Sequence, residues 1–366
     1  MDEEAFQTKY LPDGSIELLK ARLVAKGYTQ VPGLNYTDTF SPVIKATTVR
    51  VVLSLAVTNK WSRCQLDVKN AFLNGHLTEH VYMEQPPRYI DPRFPNHVYQ
   101  LKKALYGSNR LFVSGFNDSA LFSFNLVFIA VVPTPHSLSF TGSLTLFICF
   151  FMFMTSLLQA TTHLFLIALL LKYARDILTR AQLLDSKPVH TPMVVSQHLS
   201  SDGPLFSYPT LYRSLVGALQ YLTITRPDIT HVVNSVNQFL HSPTEDHFLA
   251  IKRILRYVKG TLHFGLTFHP SAALGALVAY FDADWAECPD TRRSTSGYSI
   301  YLSDNLVSWS AKKQPTVSHS SCESEYRALT LTVTELLWLM HLLQDLRISL
   351  PQQPLLLCDN KSAIFL

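Results

Sequence analysis

Three acidic residues near the end of the sequence stand where strands or helices are predicted to end or begin. Asp282 ends an apolar strand in FDADW, Glu325 lies in the first turn of a helix in SCESEY, and Asp359 ends another strand in LLLCDN. Carboxylates in such positions can converge at one edge of a sheet, where a divalent cation such as Mg²⁺ offsets their repulsion. Two such ions, about 4 Å apart, activate water and stabilise the leaving oxygen in phosphodiester cleavage. The alternative is that Glu325 and Asp359 are ordinary helix-start and turn acids, favoured by the helix dipole.

A fourth acid, Asp67, lies in a predicted buried strand over Gln65–Leu73 that leads into an Asn74-Gly75 turn. A carboxylate inside a strand is rarely buried without a partner or a metal ion. The pattern alone favours the other interpretation, in which Asp67 lies on the solvated face of that strand with Gln65 and Lys69. The sequence therefore leaves a metal-binding and a structural role open for Asp67.

A basic helix is predicted over Pro243–Lys259, with Lys252 and Arg256 largely off its apolar stripe. Cations on such a face can follow the phosphates of a nucleic acid. The same arrangement is common on the solvated face of any amphipathic helix, so both interpretations stay open.

The elements that would position the acidic residues follow a recognisable order. Helical spacing occurs at Thr48–Val57, Tyr173–Leu184 and Pro209–Leu222, before the basic helix. From Ala276 the pattern changes to three strands, a helix over Ser324–Leu346 and a last strand over Pro354–Cys358. This βββαβ order predicts an α/β domain with a mixed sheet.

Composition is uneven along the 366 residues. The formal net charge is +4, which by itself says little about nucleic acids, and the five cysteines form no CxxC pair, which argues against a disulfide framework or a thiolate zinc site. The 53 residues of Ser119–Leu171 contain no Asp, Glu, Lys or Arg. Within them, Leu144–Leu171 is long enough to span a bilayer, so one hypothesis is membrane association through 144–171.

Long ordered strings make the chain resemble the Pol polyprotein of copia-type retrotransposons. The strings KARLVAKGYTQ, FSPVIKATTVRVVLSLAV, QLDVKNAFLNGHLTEHVYMEQPP and LKKALYG resemble its reverse transcriptase. The strings SKPVHTPM, YRSLVGALQYLTITRPDI, FDADWAECPDTRRSTSGY and CDNKSAI resemble its thumb or connection region and its ribonuclease H. The resemblance covers 11–107 and 172–366.

The resemblance implies roles for matched residues. Asp67 matches the first palm aspartate, a ligand of both polymerase metal ions, and Arg22 and Lys26 lie where the fingers approach the incoming nucleotide. Asp282, Glu325 and Asp359 match three of four ribonuclease H carboxylates, with Asp284 and Glu323 as second-ranked alternatives. The implied cofactor is Mg²⁺ or Mn²⁺, with no small-molecule cofactor. The implied partners are RNA, DNA and the RNA–DNA hybrid, in the cytoplasm or the nucleus.

The sequence departs from the family pattern after Gly107. The family's GLKQAPRAWF-like run is replaced by SNRLFVSGF, and the YVDD hairpin that supplies two more metal-binding aspartates occurs nowhere. Asp67 alone cannot hold two metal ions, so we expect no polymerase activity.

Reading the codons one base earlier explains this departure. With free codon choice, Ser108–Phe116 then yields LKQALRVWF, and three later blocks yield family-like text in the same order. At Phe153-Met154 the shifted frame gives YVYD or YVHD, never YVDD. We infer one missing nucleotide at Gly107, an out-of-frame run to about Ala168, and a deletion or a predicted intron where the family frame resumes.

The resulting fold prediction is α/β (α+β) in four parts. Residues 1–107 form a partial reverse-transcriptase fingers/palm fragment, and the apolar, out-of-frame segment 108–171 should make no packed contacts with its neighbours. Residues 172–272 form a helical thumb/connection-like region. Residues 273–366 form a ribonuclease H-like mixed sheet, which we expect to be truncated because the family continues with another helix and a fourth acid. The predicted protein is an inactive remnant, with residual ribonuclease H activity on RNA–DNA hybrids as the alternative.

Overall fold

The computed structural model describes most of the second half of the chain and parts of the first. The described residues are 3–10, 15–24, 45–67, 76–86, 89–103, 105, 127–132, 149–150, 162–194, 199–271 and 275–360. The chain divides into two compact units, of which the first comprises Met1–Ile44 with Arg63–Ser156 and the second Lys45–Ser62 with Leu157–Leu366.

The described part of the first unit consists of strands. One antiparallel pair is formed by β1 and β2, a second by β4 and β5, and β6 lies between β3 and β7 in a three-stranded sheet. Their bounds are Glu3–Tyr10 (β1), Ile16–Val24 (β2), Ser62–Asp67 (β3), His76–Glu84 (β4), Val98–Lys103 (β5), Val127–Val132 (β6) and Cys149–Phe150 (β7).

The second unit contains six α-helices, one short 3-10 helix (Pro227–Ile229) and four strands among its described residues. The helices are α1 (Ala46–Thr58), α2 (Thr162–Arg180), α3 (Pro209–Leu222), α4 (Thr230–Asn237), α5 (Glu245–Gly260) and α6 (Ser321–Asp345). The strands are β8 (Leu277–Ala283), β9 (Thr295–Leu302), β10 (Asn305–Lys313) and β11 (Leu355–Leu357).

A helical core is formed by α2, α3, α4 and α5. Pro209 begins α3, where a missing N–H costs nothing, and at the start of α5 the His247 Nδ1 accepts a hydrogen bond from the Thr244 N–H at 3.0 Å. The apolar faces meet in one cluster that includes Ile177, Leu219 and Leu255. The spacing of apolar residues therefore positions the basic face of α5 away from this core.

The four strands form a mixed sheet in the order β10-β9-β8-β11, and only β11 runs parallel to β8. Residues alternate along β8, so that Leu277 and Ala279 are fully buried while Tyr280 is exposed. The buried face packs against α6 through Leu336 and Leu339. Because β8 and β11 are parallel, their carboxyl ends lie at the same edge of the sheet.

Helix α1 packs on this sheet beside α6. Its Val51 and Leu55 join the core of the sheet, and the Arg50 guanidinium lies 3.6 Å from the centre of the Trp309 ring. Residues 45–62 therefore fold with the second unit, although they precede the predicted boundary at residue 107. An amphipathic pattern predicts a buried helical face but does not identify the surface that covers it.

Most predicted elements of the second unit are confirmed. Pro209–Leu222 is a helix with the predicted bounds, the βββαβ order is present, and the sheet is mixed. Helix α4 was not predicted. Helix α2 begins earlier than expected because the apolar residues before Lys172 continue it.

The apolar segment is only partly described. The prediction that 108–171 makes no packed contacts is wrong for β6, because β6 is hydrogen-bonded to β3. Backbone N–H and C=O groups pair in any sequence with sufficient strand propensity, which the predicted frame change does not remove. No helix within the described residues has both the length and the hydropathy to cross a lipid bilayer. Residues 133–148 and 151–161 lie outside the described residues.

Candidate metal centre

The parallel pairing of β8 and β11 brings the predicted carboxylates to one place. Asp282 is the penultimate residue of β8, and Asp359 follows β11 by two positions. Glu325 lies in the first turns of α6, whose start is fixed by the Ser320 hydroxyl accepting a hydrogen bond from the Glu323 N–H at 3.1 Å. Sheet pairing and helix capping together determine where the three side chains emerge.

The carboxylate oxygens of Asp282, Glu325 and Asp359 all lie within 4.8 Å of one another. Asp282 and Asp359 are exposed, whereas Glu325 is only 4% exposed. Oxygen atoms at this spacing match the ligand set that Mg²⁺ and other hard divalent ions prefer. The exposed members leave one side of the cluster open to solvent.

The cluster is electrostatically strained without a cation. Burial raises the pKa of Glu325 first, and the charges of Asp282 and Asp359 raise it further, against hydrogen bonds from the Ala283 N–H and the Asn360 side chain. Since a divalent ion would relieve this repulsion, the arrangement favours cation binding.

A cysteine borders the same cluster. The Cys358 Sγ lies 3.9 Å from a Glu325 carboxylate oxygen and accepts a hydrogen bond from the Asn360 N–H at 3.4 Å. Burial and the surrounding carboxylates, Glu325 foremost, raise the pKa of the Cys358 thiol. The thiol is therefore held in its neutral form and adds no negative charge to the site.

The two second-ranked acids lie in other environments. Asp284 belongs to a different cluster, with His231 and Glu287, and one of its carboxylate oxygens accepts the Thr295 N–H at 2.6 Å. Glu323 accepts the His319 N–H at 2.7 Å and forms an ion pair with Arg327 at 2.6 Å. Glu323 therefore stabilises the start of α6, and neither acid is a member of the three-carboxylate cluster.

Much of the basic face of α5 contacts residues 186–191, which are distant in sequence but adjacent in space. The Arg256 Nε donates to the Lys187 carbonyl at 2.7 Å, and Arg253 donates to the Thr191 hydroxyl at 2.7 Å. The Lys252 Nζ lies 4.7 Å from the centre of the Phe248 ring. Sequence reasoning missed these packing roles because residues 186–191 lie more than sixty positions away.

Comparison with known proteins identifies the family. Residues 8–120 match the family model described as reverse transcriptase (RNA-dependent DNA polymerase). The Pol polyprotein of transposon RE1 from Arabidopsis thaliana is 42% identical over 400 positions, covering 99% of this chain and 27% of that protein. That of transposon TNT 1-94 from Nicotiana tabacum is 33% identical over 97% of this chain and 30% of that protein. The chain belongs to the copia-type retrotransposon Pol family.

This Pol chain spans about a quarter of the length of the RE1 polyprotein. An uncharacterized mitochondrial protein of Arabidopsis thaliana is 52% identical over 167 residues, covering 46% of this chain and 69% of that protein. No solved structure matches. The RE1 alignment has more positions than the 366 residues of this chain, so RE1 contains residues in this region that the chain lacks.

The predicted polymerase residues of the Pol chain lie in the matched reverse-transcriptase region. Arg22 is in β2, opposite Ala5 of β1, and Asp67 is the last residue of β3. Lys26 lies outside the described residues. Reverse transcriptases of this family bind nucleic acids and use divalent metal ions.

Proposed function

We propose that this Pol chain is a reverse transcriptase–ribonuclease H portion without polymerase activity, whose remaining chemistry is metal-dependent cleavage of the RNA strand of an RNA–DNA hybrid. The observation that carries the proposal is the convergence of Asp282, Glu325 and Asp359 within 4.8 Å. Three carboxylates from separate parts of the chain lie together where two parallel strands end. Such a set of oxygen ligands is the one expected of a divalent-ion site.

The three carboxylates would hold Mg²⁺ or Mn²⁺. The bound ions would supply activation of water and stabilisation of the leaving oxygen of the scissile phosphodiester. Glu325, fixed by burial and by its hydrogen bonds to Ala283 and Asn360, orients its carboxylate before metal binds. Asp282 and Asp359 lie on the exposed side, where the scissile phosphate would approach.

The remaining assignments of the Pol chain extend this proposal. Residues 273–366 would form the ribonuclease H-like sheet, 172–272 the thumb or connection region, and 1–107 a fingers/palm fragment, with 108–171 out of frame between them. The proposed nucleic-acid-binding residues are Arg22, Lys26, Lys252 and Arg256, and the proposed polymerase metal ligand is Asp67.

Polymerase activity is the function that we propose the chain lacks. The sequence contains no YVDD, so Asp67 has no partner motif with which to hold two metal ions. The RE1 alignment has more positions than this chain has residues, as a deletion in the chain would require.

The experiment is cleavage of a labelled RNA strand in an RNA–DNA hybrid by the full chain, with Mg²⁺ or Mn²⁺. We expect cleavage by the wild type, and Asp282→Asn should reduce it to the rate of buffer alone. Asp345→Asn, the same change at an exposed position at the end of α6, should leave the rate unaltered. Equal rates for wild type and Asp282→Asn would refute the proposed site.

A further inference from the structure

A second cluster of metal-ligating atoms lies away from the three carboxylates. The ligand atoms of His231, Asp284 and Glu287 all lie within 4.8 Å of one another. His231 is the second residue of α4, whereas Asp284 and Glu287 lie in the loop after β8. The cluster therefore joins the helical core to the sheet, across a sequence separation of more than fifty residues.

We propose that His231, Asp284 and Glu287 bind one transition-metal ion of the Zn²⁺ class, which links α4 to the loop after β8. An imidazole nitrogen combined with two carboxylate oxygens is a donor set that Zn²⁺ and Co²⁺ accept, whereas Mg²⁺ prefers oxygen ligands alone. The nitrogen donor thus distinguishes this cluster from the all-oxygen site at Asp282.

Both sides of the cluster are held in place by hydrogen bonds outside it. The Trp309 Nε1 donates to the Thr230 hydroxyl at 3.0 Å, which fixes the start of α4 against β10. Across the loop, the Asp284 carboxylate accepts the Thr295 N–H at 2.6 Å, and the Asp284 N–H donates to the Thr295 carbonyl at 3.2 Å. These contacts position the donors before an ion binds, which lowers the cost of ordering them.

The two carboxyl groups are themselves in contact. The ligand atoms of Asp284 and Glu287 lie within 4.8 Å of each other and of the ligand atom of His231. A divalent ion bound between the two carboxylates and the imidazole would offset the repulsion between the two acids.

The site opens onto a small cavity. Its volume is about 100 Å³, and His231, Arg253, Glu287 and Lys313 are among the side chains that line it. The Lys313 Nζ lies 2.8 Å from the Cys288 Sγ. The Lys313 charge is thereby directed to the thiol, and the cavity has room for a water molecule as a further ligand.

The test is a titration of the chelator-treated full chain with Co²⁺, followed by visible absorption and by competition with Zn²⁺. We expect one equivalent of Co²⁺ to bind and to give the visible absorption spectrum of a low-symmetry site. His231→Ala or Glu287→Gln should weaken Co²⁺ binding at least about tenfold. The matched control His241→Ala changes another exposed histidine and should leave the affinity unaltered.

A second measurement separates this site from the three-carboxylate cluster. Asp282→Asn should abolish hybrid cleavage and leave the Co²⁺ spectrum intact. The two proposals can therefore fail independently of each other.

A stability measurement provides a further test. Zn²⁺ should raise the unfolding midpoint of the wild type and not that of His231→Ala, because an ion that binds only the folded state stabilises that state. Equal Co²⁺ affinity in wild type and His231→Ala, or loss of the spectrum in Asp282→Asn, would overturn the proposal. A cobalt–thiolate charge-transfer band that disappears in Cys288→Ser would contradict the three-donor assignment.

Discussion

Glu325 combines deep burial with two neighbouring carboxylates, a combination that folding alone does not favour. The residue is 4% exposed and lies within 4.8 Å of Asp282 and Asp359 at their carboxylate oxygens. A site that concentrates like charges in order to bind a metal ion lowers the free energy of unfolding of the metal-free chain. This loss of stability should be measurable when metal ions are removed.

Replacing Asp282 by Asn should stabilise the metal-free chain. Removing one neighbouring charge relieves the repulsion on Glu325, and we expect a gain of about 0.5–2 kcal/mol in the free energy of unfolding. Chemical denaturation in the presence of a chelator measures this gain, with Asp345→Asn as the control. A destabilised or unchanged Asp282→Asn would contradict the repulsion argument.

Glu325 makes the stability of the metal-free chain depend on pH in a defined direction. The folded-state pKa of Glu325 is raised above its ordinary value of 4.5, so the folded chain binds its proton more tightly than the unfolded chain. The contribution of Glu325 to stability is therefore present at low pH and is lost as the pH rises from 4.5 through the folded-state pKa. Denaturation curves without metal should show this loss for the wild type, and a smaller loss for Asp282→Asn. Saturating Mg²⁺ should remove it.

At this scale the sequence predicts only residues whose position within an element defines their role. Asp282, Glu325 and Asp359 were predicted together because strand ends and a helix start converge at a sheet edge. His231 and Glu287 could not be predicted, because their proximity depends on how α4 packs against the loop after β8. Residues 68–75 lie outside the described residues, so the surroundings of Asp67 stay a prediction.

Among the elements, α1 depends most on contacts that its own pattern does not specify. Arg50 is 9% exposed, and its guanidinium donates to the Val307 carbonyl at 3.3 Å and to the Ile224 carbonyl at 2.6 Å. Burial lowers the pKa of Arg50 to about 10. This value is still well above neutral pH, so the guanidinium stays charged. One side chain thus connects α1, β10 and the turn after α3.

Arg50→Ala should destabilise the second unit strongly. Two carbonyl groups would lose their hydrogen-bond donor. Each carbonyl left buried without a donor lowers the free energy of unfolding by about 1–3 kcal/mol. Arg50→Lys should recover little, because an ammonium cannot reproduce the planar fork stacked on Trp309. Thermal unfolding measures both variants, and Arg347→Ala, at an exposed position just after α6, provides a comparison. An Arg50→Ala chain as stable as wild type would refute this role for α1.

The helices and strands of the second unit were largely predictable, and their assembly was not. Apolar spacing predicted α3 and the strands β8 to β10, since each buries one regular face. The placement of α1 on the sheet depends on side-chain hydrogen bonds such as that from Asn305 to the Ser54 hydroxyl at 2.9 Å. Periodicity contains no information about such pairs.

For the whole molecule, we propose that the apolar composition of 108–171 results from a change of reading frame, which DNA sequencing can test. The genomic bases across codons 100–175, read one base earlier than the frame that encodes this chain, should encode LKQALRVWF directly after Gly107. They should also show the junction at which the family frame resumes near Lys172. Bases that encode no such run in the neighbouring frame would refute the missing nucleotide.

We propose that this Pol chain cleaves RNA by ribonuclease H-type chemistry and does not polymerise DNA. The most direct measurement uses one substrate, a labelled DNA primer on a labelled RNA template, with the full chain, deoxynucleotides and Mg²⁺ or Mn²⁺. We predict no primer extension, together with RNA cleavage in the paired region that disappears in Asp282→Asn. Primer extension that is lost in Asp67→Asn would contradict the account.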